Sequence, residues 1–579
     1  LSSNGNQPMT SQCGRYTISY NGEIYNFLKL KEDLKEKVNF KSNSDTEVIL
    51  EHISENGIKN TINTIDGMFS IAVWDKKEEC IYLARDRVGI KPLYWTKNSE
   101  FLFFCSDLRC LNSLPDFNPS INMESLSELL RYGYIRSPNS IFKNVYKTNP
   151  GELLTVNKIG LVKKSIYWST DSLKNNKKFA TKDNQKIQTE IKNKLFLSVK
   201  KSMVSDVPIG AFLSGGIDSS LLVSMMSEIT TKLKTFSIGF NEEKFNEADH
   251  AKKIADYLKT DHHEMYVSNN DLLNVIPQLP EIYSEPFGDS SQIPTYLVSK
   301  MSKKHVKVVL SGDGADELFG GYNRYFYANK IRKIKRFFPE FFQRNISKFF
   351  ISLLEHNDLK LLEKFNFSKI PQLKEKMKKI FLILNQDDKY IYEALISTNL
   401  NSNRFINNYN SSNIYNQKIT FDDSNFFEYM QKEDFKNYLP DDILTKVDRA
   451  SMFCSQEVRV PYLNKDIIES SWKLDPSLKK KKIILKRILK EFLPEKLFLR
   501  PKMGFGIPLG EWLNGKLYDW MNDTLSKKKI VDEGFFNYNE IENLMKNNIS
   551  ITNNKYLLWN AITFQAWFDN FKKKKIKNL

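Results

Sequence analysis

The stretch Leu213–Ser220, LSGGIDSS, decides the fold of the larger part of this 579-residue chain. It begins at the end of the apolar run VPIGAFL and leads into the apolar-periodic SSLLVSMMSEI, which predicts a strand, a glycine turn and a helix. Adjacent glycines let a backbone approach an anion and adopt positive φ, and the first N–H groups of a helix can bind that anion. The lysine of the loop G-x-x-x-x-G-K-[ST] is missing. The stretch predicts a phosphate-binding turn of another kind; the alternative is an ordinary strand–turn–helix with a serine cap.

A second turn repeats this plan. LSGDGADELFGGY, Leu310–Tyr322, again places glycines after an apolar strand signal and adds Asp313, Asp316 and Glu317. Asp218 in the first turn is a poor neighbour for phosphate unless a cation lies between them, and Mg²⁺ commonly binds through a few carboxylates and phosphate oxygens. Two acid-bearing glycine turns at strand ends therefore favour a site for Mg²⁺-bound polyphosphate.

The signals around these turns predict two domains of different architecture. Residues 1–170 read as short strands broken by turns, in YTISYNGEIYN, GMFSIAVWD, CIYLARD and FLFFCSD. A polar, lysine-rich linker follows at residues 172–185. From residue 186 to 579 strands such as LKTFSIGF and VKVVLSGDG alternate with helices such as EADHAKKIADYL and YLVSKMSKK, which is typical of a parallel sheet. The fold class is α/β, and beyond about residue 330 the pattern becomes mostly helical.

Composition limits the functional classes. The net charge of +17 is mostly lysine spread along helical stretches, without a nucleic-acid-binding signature, so solvated helix faces are favoured over a nucleic-acid partner. The five cysteines are scattered without a C-x-x-C pair, which argues against disulfides and a zinc site and for a reducing compartment. No apolar run approaches bilayer length, and we expect a cytoplasmic protein without a membrane partner.

Several motifs together resemble a known family. SGGIDSS resembles the pyrophosphatase loop (PP-loop) of synthetases that cleave ATP between the α- and β-phosphates. NGEIYN, SDTEVIL, DGMFSIAVWD and RDRVGIKPLYW resemble the glutaminase domain of class II glutamine amidotransferases. With TFSIGF, SGDGADELFGGY, DDILTKVDRASM and RPKMGFGIP they make nearly the whole chain resemble the glutamine-hydrolysing asparagine synthases. The resemblance implies an Ntn-hydrolase-type layered α+β domain, a PP-loop domain like the adenine nucleotide α-hydrolases, and the cofactors ATP and Mg²⁺.

The resemblance also implies roles in the synthetase half. Asp218 and Asp316 match the acids that hold Mg²⁺. Lys482 matches a lysine near the α-phosphate, although its neighbours in Lys479–Lys482 leave the register open by one residue and a solvated helix face is the alternative. Asp313 stands where the family carries a glutamate important for forming the acyl-adenylate. The positions that match residues lining ATP are Leu213, Ser214, Gly215, Gly216, Asp218, Ser219, Ile238, Ser311 and Gly312.

In the glutaminase half, Asn21 and the N–H of Gly22 match the oxyanion hole, and Glu23 and Asp45 match residues that bind glutamine. A hairpin turn at Asn-Gly is the alternative or an additional interpretation. The family's nucleophile is an N-terminal cysteine in a segment that precedes LSSNGNQPM, and Cys13, whose nitrogen is an amide, cannot replace it. We expect the sequence to be a fragment rather than a true loss, and the chain as it stands to use free ammonia instead of glutamine.

Three functions stay open at this point. The first is conversion of aspartate, ATP and a nitrogen donor, glutamine or ammonia, to asparagine, AMP and pyrophosphate. The second amidates a sugar carboxylate, and the third is a basic binding protein without catalysis. Candidate assemblies include a homodimer. The residues expected to shape the acceptor region, or else to form a salt-bridge network, are Lys446, Asp448, Arg449, Glu457 and Arg459.

Overall fold

The computed structural model describes residues 5–114, 117–175, 179, 183–240, 246–337, 387–409, 423–499 and 506–578. Most of the motif RPKMGFGIP and part of the predicted linker lie outside the described residues. Over the described ranges, we find no helix that combines the length and the apolar character needed to cross a membrane.

Fourteen strands are named within the described residues. They are β1 Met9–Thr10, β2 Tyr16–Ile24, β3 Gly67–Asp75, β4 Cys80–Arg85, β5 Tyr94–Lys97, β6 Leu102–Cys105, β7 Val145–Lys147, β8 Glu152–Asn157, β9 Val162–Ile166, β10 Ile209–Phe212, β11 Lys234–Phe240, β12 Asp261–Val267, β13 Val308–Leu310 and β14 Glu457–Arg459. They form a six-stranded sheet in the order β1-β2-β3-β4-β8-β9, a three-stranded sheet β6-β5-β7 and a five-stranded sheet β12-β11-β10-β13-β14.

The N-terminal region is a layered α+β structure. The paired strands of its six-stranded sheet are antiparallel. The helices α1 (Phe27–Leu34) and α2 (Asp45–Thr64) share an apolar core with this sheet through residues such as Leu30, Ile49 and Phe69. The predicted strands GMFSIAVWD and YTISYNGEIYN correspond to β3 and β2.

The five-stranded sheet is parallel throughout, as the alternation of strand and helix signals predicts. The helices from residue 123 to residue 337 are α3 Met123–Tyr132, α4 Asn184–Ser202, α5 Ile217–Ile229, α6 Ala248–Leu258, α7 Asn269–Val275, α8 Leu279–Ile282, α9 Gln292–Ser302, α10 Ala315–Leu318 and α11 Asn323–Phe337. Of these, α3 and α4 precede the first strand of the sheet in the chain. Strands β12 and β14 are not among the sequence-predicted elements.

The C-terminal part is mostly helical. Its α-helices are Asp388–Ile396, Asp423–Glu433, Thr445–Phe453, Lys465–Lys473, Pro476–Lys479, Ile483–Leu489, Glu495–Phe498, Leu509–Leu513, Tyr518–Thr524, Lys527–Glu533, Tyr538–Met545, Asn548–Asn553 and Lys555–Asn578. Asp434–Leu444 is π-helical, and the short 3₁₀ helices are Leu108–Ser113, Thr170–Asn175, Ile276–Gln278, Ser402–Phe405, Pro461–Leu463 and Lys480–Lys482.

One apolar core joins the two halves of the chain. Leu126 and Ile141 from the N-terminal region belong to the same buried cluster as Phe236 of the parallel sheet and Trp559 of the last helix. Burial of this kind is the dominant stabilising term in folding. The two halves therefore pack as a continuous body, which holds the glutaminase-like residues at a defined position relative to the parallel sheet.

Candidate active site

The first glycine turn lies between β10 and α5, at the carboxyl end of the parallel sheet, where such folds bind ligands. Gly215 has a φ of +71°, and a Cβ there would come within 2.9 Å of the backbone nitrogen of Ala251. The hydroxyl oxygens of Ser214 and Ser219 are 3.0 Å apart. Helix α5 begins directly after Gly216, so the N–H groups of its first turn point back along the helix axis, towards the glycine turn.

The second turn packs directly against the first. It follows β13, the neighbour of β10, and a Cβ on Gly312 would lie 3.0 Å from the Cβ of Asp218. Together the turns border a crevice of about 820 Å³. All the residues predicted to bind ATP line it except Gly215, and Asp313, Asp316 and Lys482 line it as well.

Two carboxylates in the crevice converge on one cation. The Lys482 ammonium contacts Asp218 Oδ2 and lies 2.5 Å from Asp316 Oδ1. Burial opposes the charge of Lys482, but the two carboxylates outweigh it and raise the pKa of this lysine. Within the described ranges no group of three or more His, Cys, Asp and Glu side chains is arranged to hold a metal. Two carboxylates that reach one point can still hold Mg²⁺ when phosphate and water complete its shell, so Asp218 and Asp316 fit such a cation.

Asp313 also lines the crevice. Its Oδ2 accepts a hydrogen bond of 2.6 Å from the Ser311 hydroxyl, and burial raises its pKa. Nearby, Lys446 donates to Asp289 Oδ2 at 2.8 Å and to Ser291 Oγ at 2.9 Å. Lys446, Asp289 and Ser291 line the same crevice. The sequence analysis missed Asp289 and Ser291, which lie in the stretch Glu285–Thr295, EPFGDSSQIPT.

Glu317 is a buried carboxyl with a displaced pKa. Burial, with a further contribution from Asp316, raises that pKa to about 7, and the side chain is 1% exposed. The native state therefore binds this proton more tightly than the unfolded chain does, so stability is lost as the pH rises from about 4.5 towards 7. We expect Glu317→Gln to raise the free energy of unfolding at pH 8 by up to about 3 kcal/mol relative to the unsubstituted chain, and to change it little at pH 4.5. Denaturant unfolding at both pH values tests this; equal differences at both would contradict it.

The residues predicted to bind glutamine lie on or beside β2. Asn21 and Gly22 are inside this strand rather than in a hairpin turn, so the hairpin interpretation is wrong. A Cβ on Gly22 would come within 2.1 Å of the Met68 carbonyl oxygen, which is why the strand needs glycine there. Asp45 opens α2, and its Oδ2 accepts hydrogen bonds from Tyr20 Oη at 2.8 Å and from the N–H of Ile24 at 3.1 Å.

Most of the segment expected to shape the acceptor region contacts the N-terminal half instead. Of the five residues, Lys446 is the one that lines the crevice as the described residues form it. Asp448 pairs with Lys91 at 3.0 Å, Arg449 with Asp107 at 3.4 Å and Arg459 with Glu23 at 3.3 Å. Arg459 also pairs with Glu457 at 2.6 Å. The salt-bridge network is the interpretation that fits these four residues, because Asp448, Arg449 and Arg459 pair with the N-terminal half and Glu457 pairs with Arg459.

Two family models match different parts of this chain. The family model of asparagine synthase matches residues 190–569, and that of the glutamine amidotransferase domain matches residues 1–168. Asparagine synthetase [glutamine-hydrolyzing] 1 of Bacillus subtilis is 30% identical over 578 residues, which is 97% of this chain and 87% of the relative. A putative asparagine synthetase [glutamine-hydrolyzing] 2 of Methanocaldococcus jannaschii is 40% identical over 328 residues, 55% of this chain and 62% of the relative.

Among solved structures, the glutamine phosphoribosylpyrophosphate amidotransferase of B. subtilis is 18% identical and covers 40% of this chain and 48% of its own, with a TM-score of 0.22. That likeness is too low to support an argument.

The two glycine turns on a parallel sheet, joined to an amidotransferase-type domain, define a class: ATP-dependent ligases that make amides. Within that class the family-model match is specific. The chain belongs to the asparagine synthase family, and it is a ligase of that type.

Proposed function

We propose that this chain activates the side-chain carboxylate of L-aspartate with ATP and converts it to the amide of L-asparagine. The observation that supports the proposal most directly is the pair of carboxylates, Asp218 and Asp316, that converge on one cation between two glycine turns. The names of the relatives, asparagine synthetase, favour aspartate over a sugar acid as the acceptor. The acid-lined crevice gives a purely binding protein no advantage.

The chemistry proceeds in two displacements. A carboxylate oxygen of aspartate attacks the α-phosphorus of ATP, and the bond from that phosphorus to the oxygen bridging to the β-phosphate breaks, which releases pyrophosphate. The nitrogen of ammonia then adds to the acyl carbon of the adenylate. The carbon–oxygen bond to AMP breaks, AMP leaves, and one proton is lost with the formation of the amide.

The residues of the crevice divide these tasks. The N–H groups at the start of α5 and the hydroxyls of Ser214 and Ser219 bind the departing pyrophosphate. Asp218 and Asp316 would hold Mg²⁺, which supplies positive charge against the triphosphate. Lys446, held by Asp289 and Ser291, provides a fixed cation that orients the acceptor carboxylate.

The N-terminal half supports glutamine as the nitrogen donor. Its match to the glutamine amidotransferase model spans residues 1–168. The Nδ2 of Asn21 donates a hydrogen bond of 3.2 Å to Ser106 Oγ. Ser106 in turn contacts Arg449 of the synthetase half through its carbonyl oxygen. In this proposal the nucleophile is the family's N-terminal cysteine, Asn21 and Gly22 stabilise the oxyanion formed when its sulfur adds to the glutamine amide carbon, and Glu23 and Asp45 bind the ends of glutamine.

An isotope-transfer experiment tests the activation step. L-aspartate with ¹⁸O in its side-chain carboxylate is mixed with ATP, Mg²⁺ and ammonium, and we expect AMP that carries one ¹⁸O atom together with stoichiometric pyrophosphate. Succinate, which keeps the carboxylate but lacks the α-amine, and a hexuronic acid are the comparison acceptors. Release of ADP, or of AMP without label, would contradict the proposal. If an ¹⁸O-labelled uronic acid labelled AMP faster than aspartate does, the acceptor would be the sugar acid and not aspartate.

A further inference from the structure

The Lys482 ammonium occupies the point at which the two carboxylates of Asp218 and Asp316 meet. The lysine side chain is 6% exposed, so this contact is shielded from solvent. The same carboxylates are the ones assigned to Mg²⁺ in the proposed function. One point cannot hold both an ammonium and a divalent cation.

The backbone is built to direct this lysine into the crevice. Lys481 and Lys482 are consecutive left-handed residues, with φ values of 55° and 59°, a conformation that costs energy for residues other than glycine. Hydrogen bonds from their N–H groups to the carbonyls of Gly320 and Phe319, at 2.9 and 3.1 Å, hold them there. This arrangement positions Lys482 but is unnecessary for a helix on the surface.

The neighbours of Lys482 in the lysine run have other surroundings. Lys479 lies over Trp472, Lys480 over Phe427 and Lys481 over Phe326, with the ammonium nitrogens 4.5, 5.7 and 4.7 Å from the ring centroids. Gly321 opens the space that Lys482 uses, because a Cβ there would come within 1.8 Å of Asp316 Oδ1 and 2.1 Å of the Lys482 Cε.

A metal ion can displace the Lys482 ammonium from the two carboxylates only if the ammonium gains other anionic partners. A buried charge that loses its partners without gaining new ones is strongly destabilising. A metal ion that arrived alone would push Lys482 away from both carboxylates and offer it nothing in return. A metal ion that arrives with a polyphosphate also supplies anionic oxygens, which can accept the ammonium.

We propose that Lys482 is an internal stand-in for the metal ion, which closes the Asp218–Asp316 pair to divalent cations until a nucleotide brings phosphate oxygens for the lysine. Metal and nucleotide therefore enter as a pair. The inference rests on the proposed function for the identity of the site and adds an order of binding to it.

Binding of Mn²⁺ to the nucleotide-free chain tests this inference by electron paramagnetic resonance of the free ion. We expect Lys482→Met to bind one Mn²⁺ about 100-fold more tightly than the unsubstituted chain does, because one positive charge has left the site. Lys482→Arg keeps the cation and should stay closed to Mn²⁺. Lys480→Met removes the same charge from the same run, outside the crevice lining, and should also stay closed.

Two further measurements separate the outcomes. Adding an ATP analogue with a methylene bridge between the α- and β-phosphates should let the unsubstituted chain bind Mn²⁺ and so reduce its difference from Lys482→Met. If the methionine variant does not fold, Lys482→Gln takes its place. If Lys482→Met binds Mn²⁺ no more tightly than the unsubstituted chain without nucleotide, the inference is overturned, while pyrophosphate formation still supports the proposed function. If Lys482→Met binds Mn²⁺ tightly but no ¹⁸O reaches AMP, the inference stands and the proposed function fails.

Discussion

Replacing Asp316 with asparagine is expected to lower the rate of pyrophosphate formation about a thousand-fold. Asp316 supplies one of the two carboxylates that converge on the Lys482 ammonium, and the proposed Mg²⁺ needs both. The amide keeps the size of the side chain and removes its charge. Several kcal/mol of stabilisation of the charged transition state are lost with it, and about 1.4 kcal/mol corresponds to each factor of ten. The measurement is the initial rate of pyrophosphate release at saturating ATP and aspartate, with ammonium as the nitrogen source.

Asp261→Asn is the matched control for this loss. Asp261 also pairs with a lysine, Lys234, at 2.6 Å, but at the opposite, amino-terminal end of the same parallel sheet and in an exposed position. Its replacement removes the same charge from the same sheet, and we expect activity close to that of the unsubstituted chain. The prediction would be wrong if Asp316→Asn had the same free energy of unfolding as the unsubstituted chain and kept more than about a tenth of its activity. One carboxylate would then suffice for pyrophosphate formation.

The two glycine turns follow rules that act over a few residues, and for that reason their structure could be predicted. Glycines after an apolar run, followed by an apolar-periodic segment, predict a strand, a turn and a helix, and β10 and α5 have that arrangement. The same logic predicts the turn after β13. The resemblance adds Lys482 to the predicted site residues. Nothing in four consecutive lysines distinguishes the one that meets Asp218 and Asp316, because that depends on the left-handed backbone at Lys481 and Lys482.

Elements that depend on distant partners could not be predicted in the same way. Strand β14 has three residues, and it is a strand because it pairs with β13, about 150 positions earlier in the chain. Asn21 and Gly22 carry the dipeptide typical of a hairpin, yet the pairing of β2 with β3 extends the strand through them. The salt bridge between Lys91 and Asp448 joins residues 357 positions apart. Such contacts leave no local pattern, because each partner looks like an ordinary surface charge.

Arg459 lies at the same boundary between the halves, and we expect its replacement to have a large effect on the free energy of unfolding. Arg459 is 3% exposed, and its guanidinium donates to Glu457 Oε1 at 2.6 Å and lies 3.3 Å from Glu23 Oε1. It also donates to the carbonyls of Ser202 and Val204, at 3.0 and 2.5 Å. Arg459→Met keeps most of the side-chain volume but leaves these acceptors without their donor. We expect the free energy of unfolding at pH 8 to fall by about 3–5 kcal/mol, measured by denaturant unfolding of the full chain.

An exposed ion pair gives the comparison for Arg459. Arg404 and Glu540 lie 3.0 Å apart, with the arginine side chain 55% exposed. Pairs of this kind contribute little because water and salt screen them, and we expect Arg404→Met to change the free energy of unfolding by less than about 1 kcal/mol. If the two arginine variants lose equal stability, the buried position of Arg459 has no special importance.

The pH dependence separates lost charge pairing from lost packing at Arg459. Burial raises the pKa of Glu23 to about 7 even with the guanidinium beside it, and without Arg459 that pKa rises further. Glu23 therefore takes up a proton between pH 8 and pH 5.5, and a neutral carboxyl needs no buried cation. The destabilisation by Arg459→Met should be at least about 1 kcal/mol smaller at pH 5.5 than at pH 8. A packing defect alone would cost the same at both pH values, so an unchanged difference would remove Glu23 as the partner that makes Arg459 necessary.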